Sequence, residues 1–327
     1  MNRPSPLTLV SLILITLIVG SSNLAAITVD NFSPATNQRF ANNTAFIAND
    51  FNLSGISITD NGRWVTMVSP NVFLSAHHFF PSNSTSLTFY QTNDLNGTSS
   101  NRTILSSQRI GTSDLRIGLL DQPLSKKFTY YNFATQDTTN NNTLPFGPNA
   151  INSESFVNSP YKDAIGFHFG KNPGSLAGGN STLTVGQNRI DTFFENVTAA
   201  GTTDDAIGSE VNPSTSPVYV AYEAFLQGGD SGAPLMVDGG NNELILVGIN
   251  WFVAQNADNT KSFNGASYVG NYDVQIQAFI DANAALVPEA SSTIFLISLA
   301  SLALTVTRRP LRSSLAASQT DSRARGS

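Results

Sequence analysis

A short glycine-rich segment, LQGGDSGAPLMV, begins at Leu226 and becomes apolar after Pro234. Its three glycines remove side-chain cover around Ser231, so that the hydroxyl can stand exposed among bare backbone N–H groups. A nucleophilic serine needs this setting for acyl transfer. An ordinary turn between two strands has a similar composition. Nucleophilic chemistry therefore also requires a base, an orienting acid and a scaffold elsewhere in the chain.

The base must come from three histidines. In NVFLSAHHFF a short apolar segment ends in small residues and is followed by His77 and His78. A histidine at the end of a strand can reach a cleft and accept a proton there. Packing against the two phenylalanines that follow is the alternative interpretation. His168 lies inside a strand-like segment and is expected to be structural.

An acid candidate, Asp114, directly precedes the segment LRIGLL, in which Leu115, Ile117 and Leu119 alternate on one face. An aspartate at the start of a buried strand can orient an imidazole. The alternative is an ordinary turn residue flanking a strand, as we expect for Asp121.

The scaffold is predicted from many short segments rich in Val, Ile, Phe, Tyr and Thr, such as STSLTFYQT and ELILVGINWF. Helical periodicity is missing until about Asp273, where YDVQIQAFIDANAAL favours one terminal helix. Strands without interleaved helices indicate an all-β fold of antiparallel sandwiches or barrels. The chain contains no cysteine, which excludes a disulfide framework and a thiol nucleophile.

The central part of the chain, residues 27–286, contains 11 Lys and Arg against 21 Asp and Glu, a net charge of −10. Because phosphate binding needs clustered cations, this charge disfavours nucleic acid as a partner. No pattern of metal ligands and no nucleotide-binding loop stands out in the sequence, so neither a metal nor another cofactor is expected.

The first 26 residues have the organisation of a secretory signal peptide. Arg3 precedes an apolar run from Leu7 to Val19, and small residues follow up to Ala26. A membrane anchor or a buried helix is the alternative, but the run is shorter than the roughly 20 residues of a spanning helix. We expect cleavage near Ala25 or Ala26.

The C-terminal segment VPEASSTIFLISLASLALTVTRRP contains a Pro-Glu pair, an apolar stretch and an arginine pair, in that order. It resembles the PEP-CTERM sorting signal of Gram-negative bacteria, although Ala290 replaces the second proline. The resemblance implies processing by an exosortase-type enzyme, with residues 287–312 as a sorting or transmembrane segment and 313–327 as a cytoplasmic-side tail. A simple membrane anchor is the alternative. Either interpretation places residues 27–286 outside the cytoplasm.

Three motifs together resemble the chymotrypsin/trypsin-like serine proteases. They are Ser75-Ala76-His77-His78, Asp114-Leu115-Arg116-Ile117 and Gly229-Asp230-Ser231-Gly232-Ala233-Pro234, in the order His, Asp, Ser of that family. The resemblance implies a protease domain over residues 55–286. It implies two antiparallel six-stranded β-barrels with the active site in the cleft between them, and a short C-terminal helix. Residues 27–54 would be an N-terminal extension or a propeptide.

The same resemblance implies roles for individual residues. His78 would be the base, preferred to His77 because Ala76 then lies two residues ahead as in the family motif. Asp114 would orient His78, Ser231 would be the nucleophile, and the N–H groups of Gly229 and Ser231 would form the oxyanion hole.

The pocket and activation features implied by the family are only partly present. Phe225 and Trp251 would belong to the substrate pocket, and Phe225 stands where the trypsin branch has an aspartate. Cleavage after Lys or Arg is therefore not expected, and a small or apolar side chain is favoured. No Ile-Val-Gly-Gly start is found, so activation by a new N-terminus beside Asp230 has no support in the sequence.

The sequence thus predicts an exported serine endopeptidase acting on protein or peptide substrates. Its expected location is the periplasm, outer surface or extracellular matrix of a Gram-negative bacterium, with at least a transient membrane anchor at the C-terminus. An inactive surface or matrix binding protein of the same fold is the alternative, and an esterase is a third possibility because it shares the acyl-enzyme chemistry. An α/β-hydrolase is disfavoured because Ala233 occupies the last position of the Gly-x-Ser-x-Gly motif.

Overall fold

Short segments rich in β-branched and aromatic residues form strands along the whole described chain. The computed structural model describes residues 27–135, 153–172 and 179–284, and all of them belong to one compact unit that ends at Val287. The predicted signal peptide and C-terminal sorting segment lie outside the described residues. Within the described ranges, no helix is both long and apolar enough to cross a membrane.

The N-terminal segment contains β1 (Thr28–Val29), α1 (Pro34–Asn37) and a 3₁₀ turn (Arg39–Ala41). It packs onto the rest of the fold, since Ile27 and Leu53 are buried. Arg39 is fully buried, donates hydrogen bonds to Tyr90 O and Asn93 Oδ1, and has its pKa lowered to about 10 by burial. Residues 27–54 therefore contribute to the core.

Six antiparallel strands follow and form the first barrel. They are β2 (Ile56–Ile58), β3 (Trp64–Met67), β4 (Val72–Ala76), β5 (Ser86–Tyr90), β6 (Ser99–Arg109) and β7 (Leu115–Leu120). Their order in the sheet is β2-β3-β4-β7-β6-β5. The two edge strands lie against each other, and Ser57 Oγ of β2 donates to Thr88 O of β5 at 2.8 Å, so the sheet curls towards closure.

All five residues of β4 are buried because both of its faces are covered. Phe73 packs in the interior of the first barrel, whereas Leu74 and Ala76 belong to the larger core shared with the second barrel. This strand therefore carries the chain from the first barrel to the interface between the two barrels, where His77 and His78 follow.

A connection with β8 (Asn132–Phe133) and α2 (Ser153–Phe156) leads to the second sheet. Its remaining strands are β9 (Ile165–Lys171), β10 (Leu183–Arg189), β11 (Thr192–Ala199), β12 (Thr202–Val211), β14 (Pro234–Gly240), β15 (Glu243–Gln255) and β16 (Ser262–Tyr268), while β13 (Ala224–Phe225) pairs only with β1. A 3₁₀ turn (Asn180–Thr182) precedes β10. A second one (Val269–Tyr272) and α3 (Asp273–Asn283) follow β16.

The second sheet has the order β10-β9-β14-β15-β16-β12-β11, with β8 parallel to β15. Strands β10 and β12 approach each other, so six of these strands enclose the second barrel. The sheet has two strands more than predicted, since β11 extends the edge as a hairpin with β12 and β8 adds a two-residue pair. The predicted all-β fold of two barrels and a short C-terminal helix is confirmed.

The barrels are joined by buried hydrogen bonds as well as by apolar packing. Asn180, from the turn before β10, accepts the Ile58 N–H at 3.3 Å and donates to Thr88 O at 2.8 Å. Both of its partners belong to the first barrel. These hydrogen bonds therefore help to hold the two barrels together.

Candidate active site

The first barrel positions a histidine–aspartate pair. Strands β4 and β7 are antiparallel neighbours, and Ala76 at the end of β4 pairs with Leu115 at the start of β7. His78 lies two residues beyond that pair and Asp114 one residue before it, so the ladder brings them together. His78 Nδ1 is 2.7 Å from Asp114 Oδ2.

Backbone hydrogen bonds fix the same pair. The His78 N–H donates to Asp114 Oδ1 at 3.1 Å, and the His77 N–H donates to Asp114 O at 2.6 Å. The Asp114 side chain is fully buried, whereas 21% of the His78 side chain is exposed. A carboxylate at Nδ1 favours the tautomer that leaves Nε2 free to accept a proton.

His77 has different partners. Its Nδ1 lies 3.3 Å from Nη1 of Arg116, and burial together with Arg109 and Arg116 lowers its pKa. Of the two adjacent histidines, the geometry therefore joins His78 to the carboxylate of Asp114, as the sequence predicts.

The second barrel positions the serine loop between β13 and β14. The carboxylate of Asp230 anchors this loop by accepting the N–H of Gln227 at Oδ2 and the N–H of Lys171 at Oδ1, both at 2.9 Å. The Gly232 N–H donates to Asn250 O at 2.9 Å. Burial raises the pKa of Asp230 to about 7, and the two N–H donors and Lys171 oppose that rise.

Several N–H donors of this loop have no hydrogen-bond acceptor among the described residues. Among the described residues, the N–H groups of Gly229 and Ser231 make no hydrogen bond, although those of Asp230 and Gly232 do. Gly229 has φ +98°, a conformation that residues with a side chain rarely adopt. Unpaired N–H groups flanking a serine can stabilise a developing oxyanion.

The two halves meet at Gly232. A Cβ built on this glycine would lie 2.9 Å from Ser75 Oγ and 3.4 Å from the Ala76 nitrogen, so the serine loop packs against the end of β4. Within the described part of the chain, no hydrogen bond joins Ser231 to His78. Such bonds are often long without substrate and shorten in the complex.

A cavity of about 160 Å³ adjoins Ser231. Its walls are mostly apolar and are formed by segments 199–200, 226–228, 230–231 and 250–253. The predicted pocket residue Trp251 lines it. Phe225 does not, because β13 pairs with β1 and places Phe225 opposite Thr28. Leu226 and Gln227 lie there instead.

Ile27, the first described residue, is a neighbour of Asp230. A Cβ built on Gly170 would lie 2.6 Å from Ile27 Cβ and 2.9 Å from Asp230 Cγ, so both side chains pack on the same stretch of β9. The buried position of Ile27 was not predicted. Its place directly after the expected cleavage site is the signal in the sequence that points to it.

Two further buried groups complete the site. Asp204 of β12 contacts Asp114, and no local pattern in TTDDAIG distinguishes it from an ordinary polar residue. His168 is buried beside Ser209, and burial lowers its pKa to about 4, which agrees with the structural role expected for it. The described residues contain no group of side chains that could hold a metal ion.

Comparison with known proteins gives little further information. No family model matches the chain, and no curated protein matches it. A crystal structure of a chimeric murine norovirus NS6 protease, an inactive mutant, is similar to 65% of this chain and 91% of its own, with 12% identity and a TM-score of 0.36. At this identity and score the likeness has no bearing on the chemistry of the site.

Proposed function

We propose that this protein is an exported serine endopeptidase that cleaves peptide bonds through an acyl-enzyme. The observation that supports this best is the combination of two half-sites. The first half-site is the hydrogen-bonded His78–Asp114 pair, which lies at strand ends of the first barrel. The second is Ser231, whose loop has unpartnered N–H donors at Gly229 and Ser231 among the described residues and packs against the end of β4.

In the proposed mechanism, Ser231 Oγ attacks the substrate carbonyl and forms the acyl bond while its proton passes to Nε2 of His78. Asp114 stabilises the resulting imidazolium at Nδ1, and the N–H groups of Gly229 and Ser231 receive the oxyanion. His78 then gives the proton to the leaving amine. Water deprotonated by His78 hydrolyses the acyl-enzyme and returns Ser231 to its hydroxyl form.

The cavity beside Ser231 supports an apolar side chain on the acyl side of the cleaved bond. An apolar cavity of about 150 Å³ holds a benzene molecule, so 160 Å³ accommodates side chains up to about the size of phenylalanine. The one carboxylate in its wall, Asp230, is fully buried and already accepts two N–H groups. A lysine or arginine would therefore lose hydration without gaining an ion pair.

Export is proposed from the leader and the C-terminal sorting segment, with an exosortase-type enzyme as processing partner and a membrane anchor before processing. Ile27, which cleavage after Ala26 would make the first residue of the exported chain, is buried in the fold. Cleavage there would give Ile27 a free ammonium group in the neighbourhood of Asp230. N-terminal sequencing of the exported protein tests the position, and a start elsewhere would contradict it.

A fluorophosphonate probe tests the proposed activity, because it reacts with activated serines. The exported wild-type chain should be labelled at Ser231, located by mass spectrometry, and Ser231→Ala and His78→Ala should lose the label. Unlabelled but folded wild-type protein would favour the inactive binding protein. Labelling combined with hydrolysis of esters alone would favour an esterase.

A further inference from the structure

Asp204, on β12 of the second barrel, is fully buried and receives three hydrogen bonds. Oδ1 accepts the hydroxyl proton of Tyr272 and the Asp205 N–H, and Oδ2 accepts the Asp114 N–H at 3.3 Å. All three neighbours are donors. Since an ionised carboxylate only accepts hydrogen bonds, this arrangement suits the charged form.

The bond to Asp114 reaches a part of the chain that the first barrel leaves unpaired. The ladder between β4 and β7 begins at Leu115, so the Asp114 N–H lies outside it. Asp204 provides the acceptor from the other barrel. Tyr272 donates its hydroxyl proton to the same carboxylate and so acts on Asp114 through Asp204.

We infer that Asp204 and Tyr272 are positioning residues that hold Asp114 in line with the His78 imidazole. Neither residue reaches the reacting atoms. The second barrel thereby sets the orientation of an acid–base pair whose members both belong to the first barrel. The inference deepens the proposed function and rests on it.

The consequence for rate follows from the strictness of this geometry. Asp114 holds His78 through Oδ1 and Oδ2, so a rotation of the Asp114 backbone moves both contacts together. A misplacement of about 1 Å can lower an enzymatic rate about 100-fold. Loss of Asp204 should therefore reduce turnover and leave the substrate cavity, which these residues do not line, unchanged.

The electrostatic surroundings agree with a role beyond packing. Burial raises the pKa of Asp204 to about 7, and the hydrogen bonds from Tyr272, Asp205 and Asp114 oppose that rise. The titratable groups around it are Asp205 on its own strand, Tyr272 from the 3₁₀ turn, and Asp114 from the first barrel.

The chain offers a matched control in Asp205. It adjoins Asp204 on the same strand and is 2% exposed, and its carboxylate accepts the Asn196 N–H at 2.8 Å and the Asn271 side-chain amide at 3.4 Å. Its carboxylate makes no hydrogen bond to Asp114 among the described residues. Asp205→Asn therefore disturbs the same buried region without touching the acid.

The experiment compares Asp204→Asn, Tyr272→Phe and Asp205→Asn with wild type in the full exported chain. Two measurements are made. Steady-state kinetics give KM and the kcat per titrated active site, and proton NMR detects the signal of the His78 Nδ1–H···Asp114 hydrogen bond. We expect Asp204→Asn and Tyr272→Phe to lower kcat about 10- to 100-fold at nearly unchanged KM and to move that signal. Asp205→Asn should leave both close to wild type.

The inference is overturned if all three variants behave alike. It is also overturned if the variants contain fewer folded, titratable active sites but keep the wild-type kcat at each remaining site. If Asp204→Asn does not fold, Tyr272→Phe carries the test, because it removes a single oxygen. The NMR signal can be recorded without turnover, so it tests the positioning of Asp114 separately from the proposed peptidase activity. A signal that moves in Asp204→Asn but not in Asp205→Asn, in a protein without serine reactivity, supports the positioning and rejects the proposed function.

Discussion

The two barrels contribute to the site in opposite ways. In the first barrel the functional groups are hydrogen-bonded before any substrate arrives, since Asp114 accepts two bonds from His78 and one from the His77 N–H. In the second barrel the anchoring groups are paired, but the hydroxyl of Ser231 and the N–H groups of Gly229 and Ser231 have no partner among the described residues.

This difference corresponds to two kinds of task in the proposed mechanism. A proton acceptor must be held in one tautomer and one orientation, which needs many bonds to it. An oxyanion hole must instead keep its donors free for a charge that appears only during the reaction, so rigidity has to come from atoms behind it. Asp230 and Asn250 provide that rigidity in the serine loop.

The largest effect should come from disrupting the His78–Asp114 pair of the first barrel. Asp114→Asn keeps the shape of the side chain, but the imidazole would take the wrong tautomer because an amide can donate to Nδ1. We expect kcat/KM to fall by about 10⁴-fold, measured on a peptide with an apolar residue before the cleaved bond. A loss below tenfold would contradict the role of Asp114.

In the serine loop of the second barrel, substitution by alanine should be harmful at Gly232 and tolerated at Gly228. Gly232 has φ +90°, and a Cβ there would meet Ser75 Oγ at 2.9 Å, whereas a Cβ on Gly228 would meet nothing within 4 Å. Gly232→Ala should lower kcat about 100-fold through displacement of the loop and destabilise the protein by about 1 to 3 kcal/mol.

Gly228→Ala is the matched control for the unfolding free energy and for kcat, which should both remain close to wild type. KM is left out of the comparison because Gly228 lines the cavity beside Ser231. Urea unfolding and steady-state kinetics on the two variants make the comparison. Equal behaviour of the two alanines would show that the serine loop is not held by its contact with the first barrel.

The second barrel also carries a buried histidine whose titration affects stability. The pKa of His168 is about 4 when folded, below its ordinary value of 6.5, because of burial. As the pH falls, His168 is therefore protonated in the unfolded chain before it is protonated in the folded protein. The contribution of neutral His168 to the free energy of unfolding is complete above pH 6.5 and is lost as the pH falls towards 4.

Comparison with His168→Gln isolates this contribution. Carboxyl groups with raised pKa values, such as Asp230, affect the pH dependence of stability with the opposite sign, but they do so equally in both proteins and cancel. Between pH 6.5 and 4.5, wild type should lose about 2 to 3 kcal/mol of unfolding free energy relative to the variant. Urea unfolding at the two pH values measures it. A constant difference would mean that His168 is accessible to protons in the folded state.

The smallest effect concerns the two adjacent histidines. The His77 imidazole lies within hydrogen-bond distance of Arg116, and no hydrogen bond joins it to the carboxylate of Asp114 among the described residues. His77→Ala should therefore leave kcat/KM within about threefold of wild type. His78→Ala should lose almost all activity in the same assay. A large loss in His77→Ala alone would reassign the base and remove the basis of the comparison between the barrels.

Much of the fold was predictable because its signals are local. The strands follow from short segments rich in β-branched residues, and the helix beginning at Asp273 follows from the change in periodicity. The candidate triad was predicted from three local motifs and their resemblance to a known protease family, and its catalytic role stays a prediction. The substrate pocket stays a prediction. The cavity beside Ser231 is lined by Trp251 and not by Phe225, which lies on a strand that pairs with a segment about 200 residues away.

The sequence by itself determined which residues could carry acyl-transfer chemistry and that strands must position them. Hydroxyl, imidazole and carboxylate groups have intrinsic reactivities, and strand periodicity is read over a few residues. Only the tertiary structure decided that Asp204 and Tyr272 contact the Asp114 region from the other barrel and that Ile27 packs beside Asp230. These contacts depend on how two sheets curl and meet, which arises from packing across the whole chain.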